Sequence, residues 1–239
     1  MLSIGKQSIQ SLITLIISLI KYLEVNMNKI LFIESSPRKD RSITTEICHQ
    51  LIERLNCAYD YEVDVLDLWR EELPHMNGTN LAAKYAIFEG SALTSEQQRH
   101  WDRINDHVQR FASADLVVIA APTWNWGVPY VLKHYVDVVT QPGLSFAWAP
   151  DTGYTSMLST KRAFIVSSSG GDYTKGSGNE HEDFSIKYLE LWLSSCMGCE
   201  VDVISMTMTA LGQEAIEAAR RNASAKIESI FESMVLNEV

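Results

Sequence analysis

Residues 115–122, with the sequence DLVVIAAP, form a short apolar run that ends at a proline. The apolar residues are consecutive rather than alternating, which predicts a strand covered on both faces. Strands of this kind occupy central positions in parallel sheets. Because parallel neighbours require long crossover connections, the rest of the chain should alternate between strands and helices.

The segments on either side of this run show that alternation. Short strands are predicted at 29–34, 61–68, 162–168 and 201–206, and helices at 42–56, 129–139, 183–197 and 213–234. A further helix is predicted to open at 94 and to carry Trp101, Ile104, Val108 and Phe111 on one face. We therefore predict an α/β fold: a doubly wound, five-stranded parallel sheet of order 2-1-3-4-5, flavodoxin-like, with helices on both faces. Residues 74–91 are predicted to be irregular with one weak helical stretch, and 140–161 to be a loop. No repeat or linker divides the chain after residue 27, which indicates one domain.

Composition excludes several classes of protein. The formal net charge is -10 and the pI about 5.1, which argues against a nucleic-acid binder because such proteins need a positive surface. Four cysteines are too few for a disulfide scaffold in a chain of 239 residues, so a reducing cytoplasm is expected. Cys196 and Cys199 have the C-x-x-C spacing of redox and zinc motifs. We interpret them instead as core residues around a helix end at Gly198, and we predict no metal site.

The segment before the first strand is treated separately. Residues 8–20, SIQSLITLIISLI, are apolar but shorter than a membrane-spanning helix, and no cleavage signal follows them. We predict that residues 1–26 are a leader and that the folded domain comprises 27–239. A peripheral membrane anchor is the alternative interpretation of the leader.

In doubly wound sheets, ligands bind beyond the carboxyl ends of the strands, where the strand order reverses. The loop after the first strand reads ESSPRKDRSIT at 34–44. Its candidate contacts are Ser36, Ser42, Ile43 and Thr44. The last three open a helix, where free N–H groups and the helix dipole favour an anion. Because the loop lacks the glycine patterns of triphosphate and dinucleotide sites, one phosphate monoester fits best. Ser42 as a simple helix cap is the alternative, and Arg38, Lys39 and Arg41 are predicted to form a solvated positive rim.

The loops after the third and fourth strands add further candidates. The third supplies Thr123, Trp124, Asn125 and Trp126, whose flat rings and amide groups suit a planar ligand with a polar edge. The fourth supplies Ser168, Ser169, Gly170 and Gly171, where paired glycines allow close backbone approach. Tryptophans that merely cover the core and a flexible glycine turn are the alternatives. Together the loops predict a ligand with one phosphate and a planar ring.

These motifs resemble those of the FMN-dependent NADH azoreductases, also described as FMN-dependent NADH:quinone oxidoreductases. Ser36 and the SIT triplet at 42–44 stand where that family contacts the FMN phosphate and ribityl chain. PTWNW at 122–126 and SSGG at 168–171 match its ring-binding motifs, and the resemblance extends over nearly the whole chain from residue 27. Three positions depart from the pattern of some members, namely Ile43, Trp126 and Ser169, and Trp126 is expected to reshape the cavity over the ring.

The resemblance implies FMN as cofactor, NADH or NADPH as electron donor, and a quinone or azo compound as acceptor. It implies a two-electron ping-pong hydride transfer and a homodimer. The protein itself would supply no nucleophile or dedicated base, although His134 and Tyr173 are candidates for donating a proton to the acceptor. A flavodoxin-type one-electron carrier and an NADPH-dependent FMN or quinone reductase of the same fold remain as alternatives.

Overall fold

The computed structural model describes residues 28–158 and 162–237, so the predicted leader lies outside the described residues. The central sheet has five parallel strands in the order β2-β1-β3-β6-β7. They are β1 (Lys29–Glu34), β2 (Glu62–Asp67), β3 (Leu116–Pro122), β6 (Arg162–Ser168) and β7 (Glu200–Met206). A separate hairpin takes the numbers β4 and β5, so this order is the predicted one and the fold class is confirmed.

Helices cover both faces of the sheet. They are α1 (Ile43–Tyr59), α2 (Gly78–Phe88), α3 (Ser95–Ala112), α4 (Tyr130–Val139), α5 (Ile186–Leu191) and α6 (Gln213–Asn237). Residues of β1 alternate between two cores: Leu31 and Ile33 pack with α3 and α4, while Ile30 and Phe32 pack with α1 and α6. Burial on both faces is the reason why the strands are continuously apolar. Among the helices that the structure describes, none has the length and apolar character needed to cross a membrane.

The weak helical stretch predicted at about 81–88 is present but longer, and the prediction of a loop at 140–161 missed a hairpin. Gly78–Phe88 is a regular helix whose N-terminus is capped by Asn77, because Asn77 Oδ1 accepts from the N–H groups of Thr79 at 3.1 Å and Asn80 at 3.2 Å. The predicted loop after α4 contains an antiparallel hairpin, Phe146–Ala149 paired with Gly153–Ser156. In the described chain the hairpin pairs with no strand of the central sheet. The predicted strand order is therefore correct although the hairpin was not predicted.

The C-x-x-C segment closes a helix. Helix α5 continues as a π-helical turn at Trp192–Cys196, and Gly198 then adopts a left-handed φ of 71°. The N–H of Cys199 donates to the carbonyl of Leu193 at 2.9 Å, which satisfies the helix end. The interpretation of Gly198 as a helix C-terminal glycine is confirmed.

Candidate functional site

The loops after β1, β3 and β6 meet because these strands are adjacent in the sheet. They enclose a cavity of about 180 Å³ at the carboxyl edge, at the place where the strand order reverses. We call it the edge cavity. Its walls are Ser36, Pro37, Arg38, Ser42, Ile43, Thr44, Pro122, Thr123, Trp124, Ser168, Gly170 and Thr209. The structure therefore brings together most of the predicted site residues from all three loops.

The first wall is the beginning of helix α1. Ser42 is the N-cap, and its Oγ accepts from the N–H of Thr45 at 3.3 Å. The alternative interpretation of Ser42 as a helix cap is therefore correct, and the same residue also lines the cavity. The N–H groups of Ile43 and Thr44 lie in the first turn, where an α-helix offers no internal acceptor. This wall presents hydroxyls and free N–H donors at the positive end of the helix dipole.

Hydrogen bonds connect the three loops. Thr44 Oγ1 is 2.7 Å from Ser168 Oγ, which ties α1 to the end of β6. The N–H of Thr123 donates to the carbonyl of Ser168 at 2.8 Å, which extends the pairing of β3 with β6 beyond the strands. Ser36 Oγ accepts a long bond of 3.4 Å from the N–H of Arg38. The polar groups of the cavity are thus held by one another before any ligand enters.

The loop after β3 is a tight two-residue turn. Trp124 and Gly127 exchange both backbone hydrogen bonds, at 2.8 and 2.9 Å. Between them, Asn125 and Trp126 have left-handed φ values of 48° and 68°. Such consecutive values define a type I′ turn, which usually contains glycine and otherwise costs about 1 kcal/mol or more for each residue. Strain of this kind is commonly kept where function requires a particular backbone geometry.

The side chains of the predicted ring-binding residues lie in different cavities or contact different segments. Trp124 lines the edge cavity, whereas Asn125 lines a neighbouring cleft. Trp126 is 53% exposed, and its Nε1–H donates to Glu182 Oε2 at 3.3 Å, in the segment after β6. Its indole thus turns toward that segment, and Trp126 is not among the residues that line the edge cavity.

Two clefts of about 530 Å³ each adjoin the turn. One is lined by Trp124, Asn125, Val128, Tyr130, Lys133, His134 and Asp137. The other runs along Leu68–Leu73 to Arg103, and Tyr130 and His134 line both. Aromatic rings connect these spaces: the Trp69 ring centroid lies 6.1 Å from Trp124 and 5.5 Å from Tyr130. The Trp69 and Trp124 rings are tilted by 46°, and the Trp69 and Tyr130 rings are nearly perpendicular at 84°, so these rings form an edge-to-face cluster beside the clefts.

The loop after β6 divides into lining and supporting residues. Gly170 lines the edge cavity, and a Cβ added there would lie 3.3 Å from the Ala210 Cβ. Ser169 instead turns into its own loop, where Oγ donates to the carbonyl of Gly171 at 2.8 Å. A Cβ on Gly171 would approach the Tyr173 hydroxyl to 3.2 Å. Ser169 and Gly171 therefore shape the loop and are not among the residues that line the edge cavity.

Three residues have roles that were not predicted from the sequence. Thr209 follows β7, and it lines the edge cavity while its Oγ1 donates to the Ser169 carbonyl at 2.9 Å. Trp69 follows β2 and supplies the aromatic contact with Trp124. The rule that ligands meet strand ends applied equally to these two loops and would have found both. The third is Lys39, which is not part of a solvated rim, because its Nζ lies 2.9 Å from Glu34 Oε2 and also contacts Asp67 Oδ1. Arg38 and Arg41 are exposed as predicted.

Burial raises the pKa values of three cysteine thiols. Burial, and secondly the charge of Glu34, raise the pKa of the Cys48 thiol well above its usual value. Burial also raises the pKa of Cys196, and that of Cys199 to about 12. All three thiols are therefore protonated at neutral pH, and the described chain holds its four cysteines as free thiols. Redox chemistry at the C-x-x-C segment needs a thiolate, so these values disfavour it.

Comparison with known proteins shows the family of the chain. Residues 28–231 match the model of a protein family described as having a flavodoxin-like fold. Over 205 residues the chain is 35% identical to the FMN-dependent NADH:quinone oxidoreductase of Desulfotalea psychrophila, covering 85% of this chain and 95% of that protein. The chain belongs to the FMN-dependent NADH:quinone oxidoreductase family.

Two further relatives extend the match. FMN-dependent NADH:quinone oxidoreductase 3 of Pseudomonas fluorescens is 31% identical over 215 residues, which cover 89% of this chain and all of that protein. Among solved structures, an FMN-dependent NADH-azoreductase from Bacillus anthracis in complex with FMN superposes with a TM-score of 0.74 at 25% identity. The superposition covers 85% of this oxidoreductase family member and 99% of the azoreductase.

Proposed function

We propose that this protein is an FMN-dependent NADH:quinone oxidoreductase that also reduces azo compounds. The observation that carries the proposal is the edge cavity, where hydroxyls and helix N–H donors stand beside an aromatic cleft at the switch point of the sheet. FMN has one phosphate monoester, which suits the edge cavity, and one planar ring, which suits the aromatic cleft. The nearly full-length similarity to oxidoreductases of that name supports the assignment.

The residues divide between these two parts of the cofactor. Ser42, Thr44 and the N–H groups of Ile43 and Thr44 would hold the phosphate, because they supply hydrogen-bond donors at a helix N-terminus. Ser36, Ser168 and Gly170 would contact the ribityl chain. Thr123, Trp124, Asn125 and Trp126 would contact the ring, with Trp126 contributing through its backbone. Ser169 and Gly171 would support the loop beside it.

FMN, when bound, supplies hydride acceptance from NADH or NADPH and two-electron delivery to the acceptor. The protein's part is to orient the ring and to place donors along its polar edge. The type I′ turn at Asn125 and the glycine pair at Gly170 supply N–H groups that would stabilise negative charge there. No nucleophile is required of the chain.

His134 has a defined tautomer. Its Nε2 lies 2.8 Å from the carbonyl of Pro74, which can only accept, so Nε2 carries the hydrogen and Nδ1 is the acceptor in the neutral ring. His134 is half-buried, lines both clefts and stacks on His75 at 6.1 Å between ring centroids. Because His134 lines both clefts and Tyr173 lines neither, His134 is the candidate that we favour for donating a proton to the acceptor.

We also propose a homodimer that acts in the cytoplasm. Several large aromatic side chains are exposed, and one of them, Tyr130, lines both clefts; the others are Trp126, Trp148, Tyr154 and Phe184. Aromatic residues are enriched at the interfaces between subunits. The cytoplasmic assignment is supported by the four free cysteines. Light scattering on the purified protein should give twice the chain mass of 26.9 kDa.

One experiment tests the proposed activity. The full chain is purified, its flavin is released and identified, and oxidation of NADH or NADPH is followed anaerobically with a quinone and then with an azo dye. We expect FMN in a 1:1 ratio and turnover with both acceptors. A protein that binds no flavin overturns the proposal, and one that binds FMN without two-electron turnover is a carrier of the flavodoxin type.

A further inference from the structure

Two acidic residues lie side by side beneath the edge cavity. Glu34 ends β1 and Asp67 ends β2, and the parallel register pairs these two residues directly. The Glu34 side chain is only 10% exposed and that of Asp67 18%. Two carboxylates this close repel each other and would also repel a phosphate. The arrangement therefore requires a cation.

Lys39 supplies that cation to both carboxylates from the phosphate loop, whereas the exposed Arg70 reaches Asp67 alone, with Nε 3.4 Å from Oδ2. The Nζ of Lys39 lies 2.9 Å from Glu34 Oε2 and contacts Asp67 Oδ1. Asp67 Oδ1 also accepts from the N–H of Trp69 at 3.0 Å. The ammonium group thus bridges the ends of two strands, and the side chain turns away from the edge cavity although Arg38 lines it.

Glu34 also holds the other side of the phosphate loop. Its second oxygen, Oε1, accepts from Thr45 Oγ1 at 3.2 Å. Lys39 precedes the segment Ser42–Thr44 and Thr45 follows it, so a single buried carboxylate fastens both flanks of the segment. Neither flanking residue lines the edge cavity in the described structure.

The backbone of Lys39 connects the ion pairs of its side chain to Ser42, the N-cap of α1. Lys39 has a left-handed φ of 49°, a conformation that is unfavourable for a residue with a side chain. In that conformation its carbonyl accepts from the N–H of Ser42 at 2.7 Å, which fixes the N-cap of α1. Tertiary contacts must hold such a conformation in place, and the ion pairs of Lys39 are those contacts.

We propose that Glu34, Lys39 and Asp67 form a positioning cluster that sets the phosphate loop in its binding geometry before the cofactor arrives. The inference rests on the proposed function, since it assigns the phosphate of FMN to the segment Ser42–Thr44. Preorganisation of this kind improves affinity by removing the cost of ordering on binding. The cluster acts only on the phosphate end, so it favours FMN over riboflavin, which has the same ring and lacks the phosphate.

The test compares FMN with riboflavin in titrations of the flavin-free full chain. Lys39→Met should weaken FMN binding by about tenfold or more, the equivalent of one charge-assisted hydrogen bond, and leave riboflavin affinity within about twofold. Lys39→Arg, which keeps the cation, should restore most of the preference. Thr45→Val should shift the same ratio by a smaller factor, and it tests the cluster even where Lys39→Met folds poorly.

Arg162→Met is the matched control. Arg162 also bridges two carboxylates, Asp202 at 2.7 Å and Glu200 at 3.3 Å, but at the opposite edge of the sheet. Its loss should lower the melting temperature and leave the ratio of FMN to riboflavin affinity unchanged. An unchanged ratio in both Lys39→Met and Thr45→Val overturns the positioning cluster. Absence of FMN binding by the wild type overturns the proposed function instead.

Discussion

Thr44 Oγ1 and Ser168 Oγ lie 2.7 Å apart although 124 residues separate them in the chain. Thr44 is 1% exposed, so water does not replace this hydrogen bond when it is lost. The bond joins the first turn of α1 to the end of β6 and spans the sheet between two walls of the edge cavity. It links the stability of the fold to the shape of the site.

A double-mutant cycle measures this link. Thr44→Val and Ser168→Ala should each destabilise the flavin-free protein by about 1 kcal/mol, because each leaves one hydroxyl without its partner. The double variant should lose less than the sum, with a coupling energy of about 0.5 kcal/mol or more. Urea denaturation followed by circular dichroism gives the values. Strict additivity would mean that the two hydroxyls do not interact in solution.

Variants of two helix caps distinguish an effect on stability from an effect on cofactor binding. Ser42→Ala removes the cap of α1, and Thr94→Ala removes the cap of α3, where Thr94 Oγ1 accepts from the Gln97 N–H at 3.2 Å. Each should lower the free energy of unfolding by about 1 kcal/mol. Only Ser42→Ala should weaken FMN binding, by about 1.5–3 kcal/mol, the range for a hydrogen bond to a charged group. Fluorescence titration decides, and wild-type affinity in Ser42→Ala contradicts the phosphate assignment.

Glycine at the end of α5 has a packing role as well as a conformational one. A Cβ on Gly198 would lie 2.6 Å from the Ser156 Cβ in the β4–β5 hairpin, and its φ is already left-handed. Gly198→Ala should therefore cost about 3 kcal/mol or more. Gly90→Ala is the control, because Gly90 has a similar φ of 68° and nothing within 4 Å of its added Cβ. It should cost only about 1 kcal/mol. Equal losses in the free energy of unfolding would show that the hairpin shifts to accommodate the added methyl group.

Thiol reactivity tests the interpretation of the C-x-x-C segment. With its pKa raised to about 12, Cys199 stays protonated at pH 8, and the raised pKa of Cys48 has the same effect. A raised thiol pKa moves thiolate formation to higher pH, so labelling of Cys199 should increase only in strongly alkaline solution. Iodoacetamide at pH 8 with peptide mass spectrometry should modify exposed Cys57 first. Rapid alkylation of Cys199 at pH 8 would instead favour a redox role.

The sheet was predictable because its signal is local. Each run such as DLVVIAAP is apolar throughout, and the intervening helices have their own periodicity and caps, so the strand order followed from general rules of α/β topology. The hairpin Phe146–Ser156 was not predicted because its two strands have only four residues each and pair only with each other in the described chain. The length of helix α2 was underestimated because Asn77 and Gly78 are typical turn residues. Only the structure shows that the Asn77 side chain accepts from two backbone N–H groups and so begins the helix at Gly78.

The site was predicted in its composition but not in its internal contacts. Loop motifs placed Ser42, Thr44 and Ser168 at one edge, since strand ends fix the position of loops. The position of Lys39 depended on Glu34 and Asp67, which meet only through the register of β1 and β2. A charged loop residue then looks the same in sequence whether it faces solvent or a buried pair of acids.

The walls of the edge cavity also impose an order on biosynthesis. Ser36 and Ser42 leave the ribosome early, Trp124 and Ser168 follow much later, and Thr209 completes the enclosure close to the end of the chain. A growing chain holds separate pieces of the pocket on strands that have not yet been joined by their neighbours. A product truncated before β7 would lack Thr209 and with it one wall of the edge cavity.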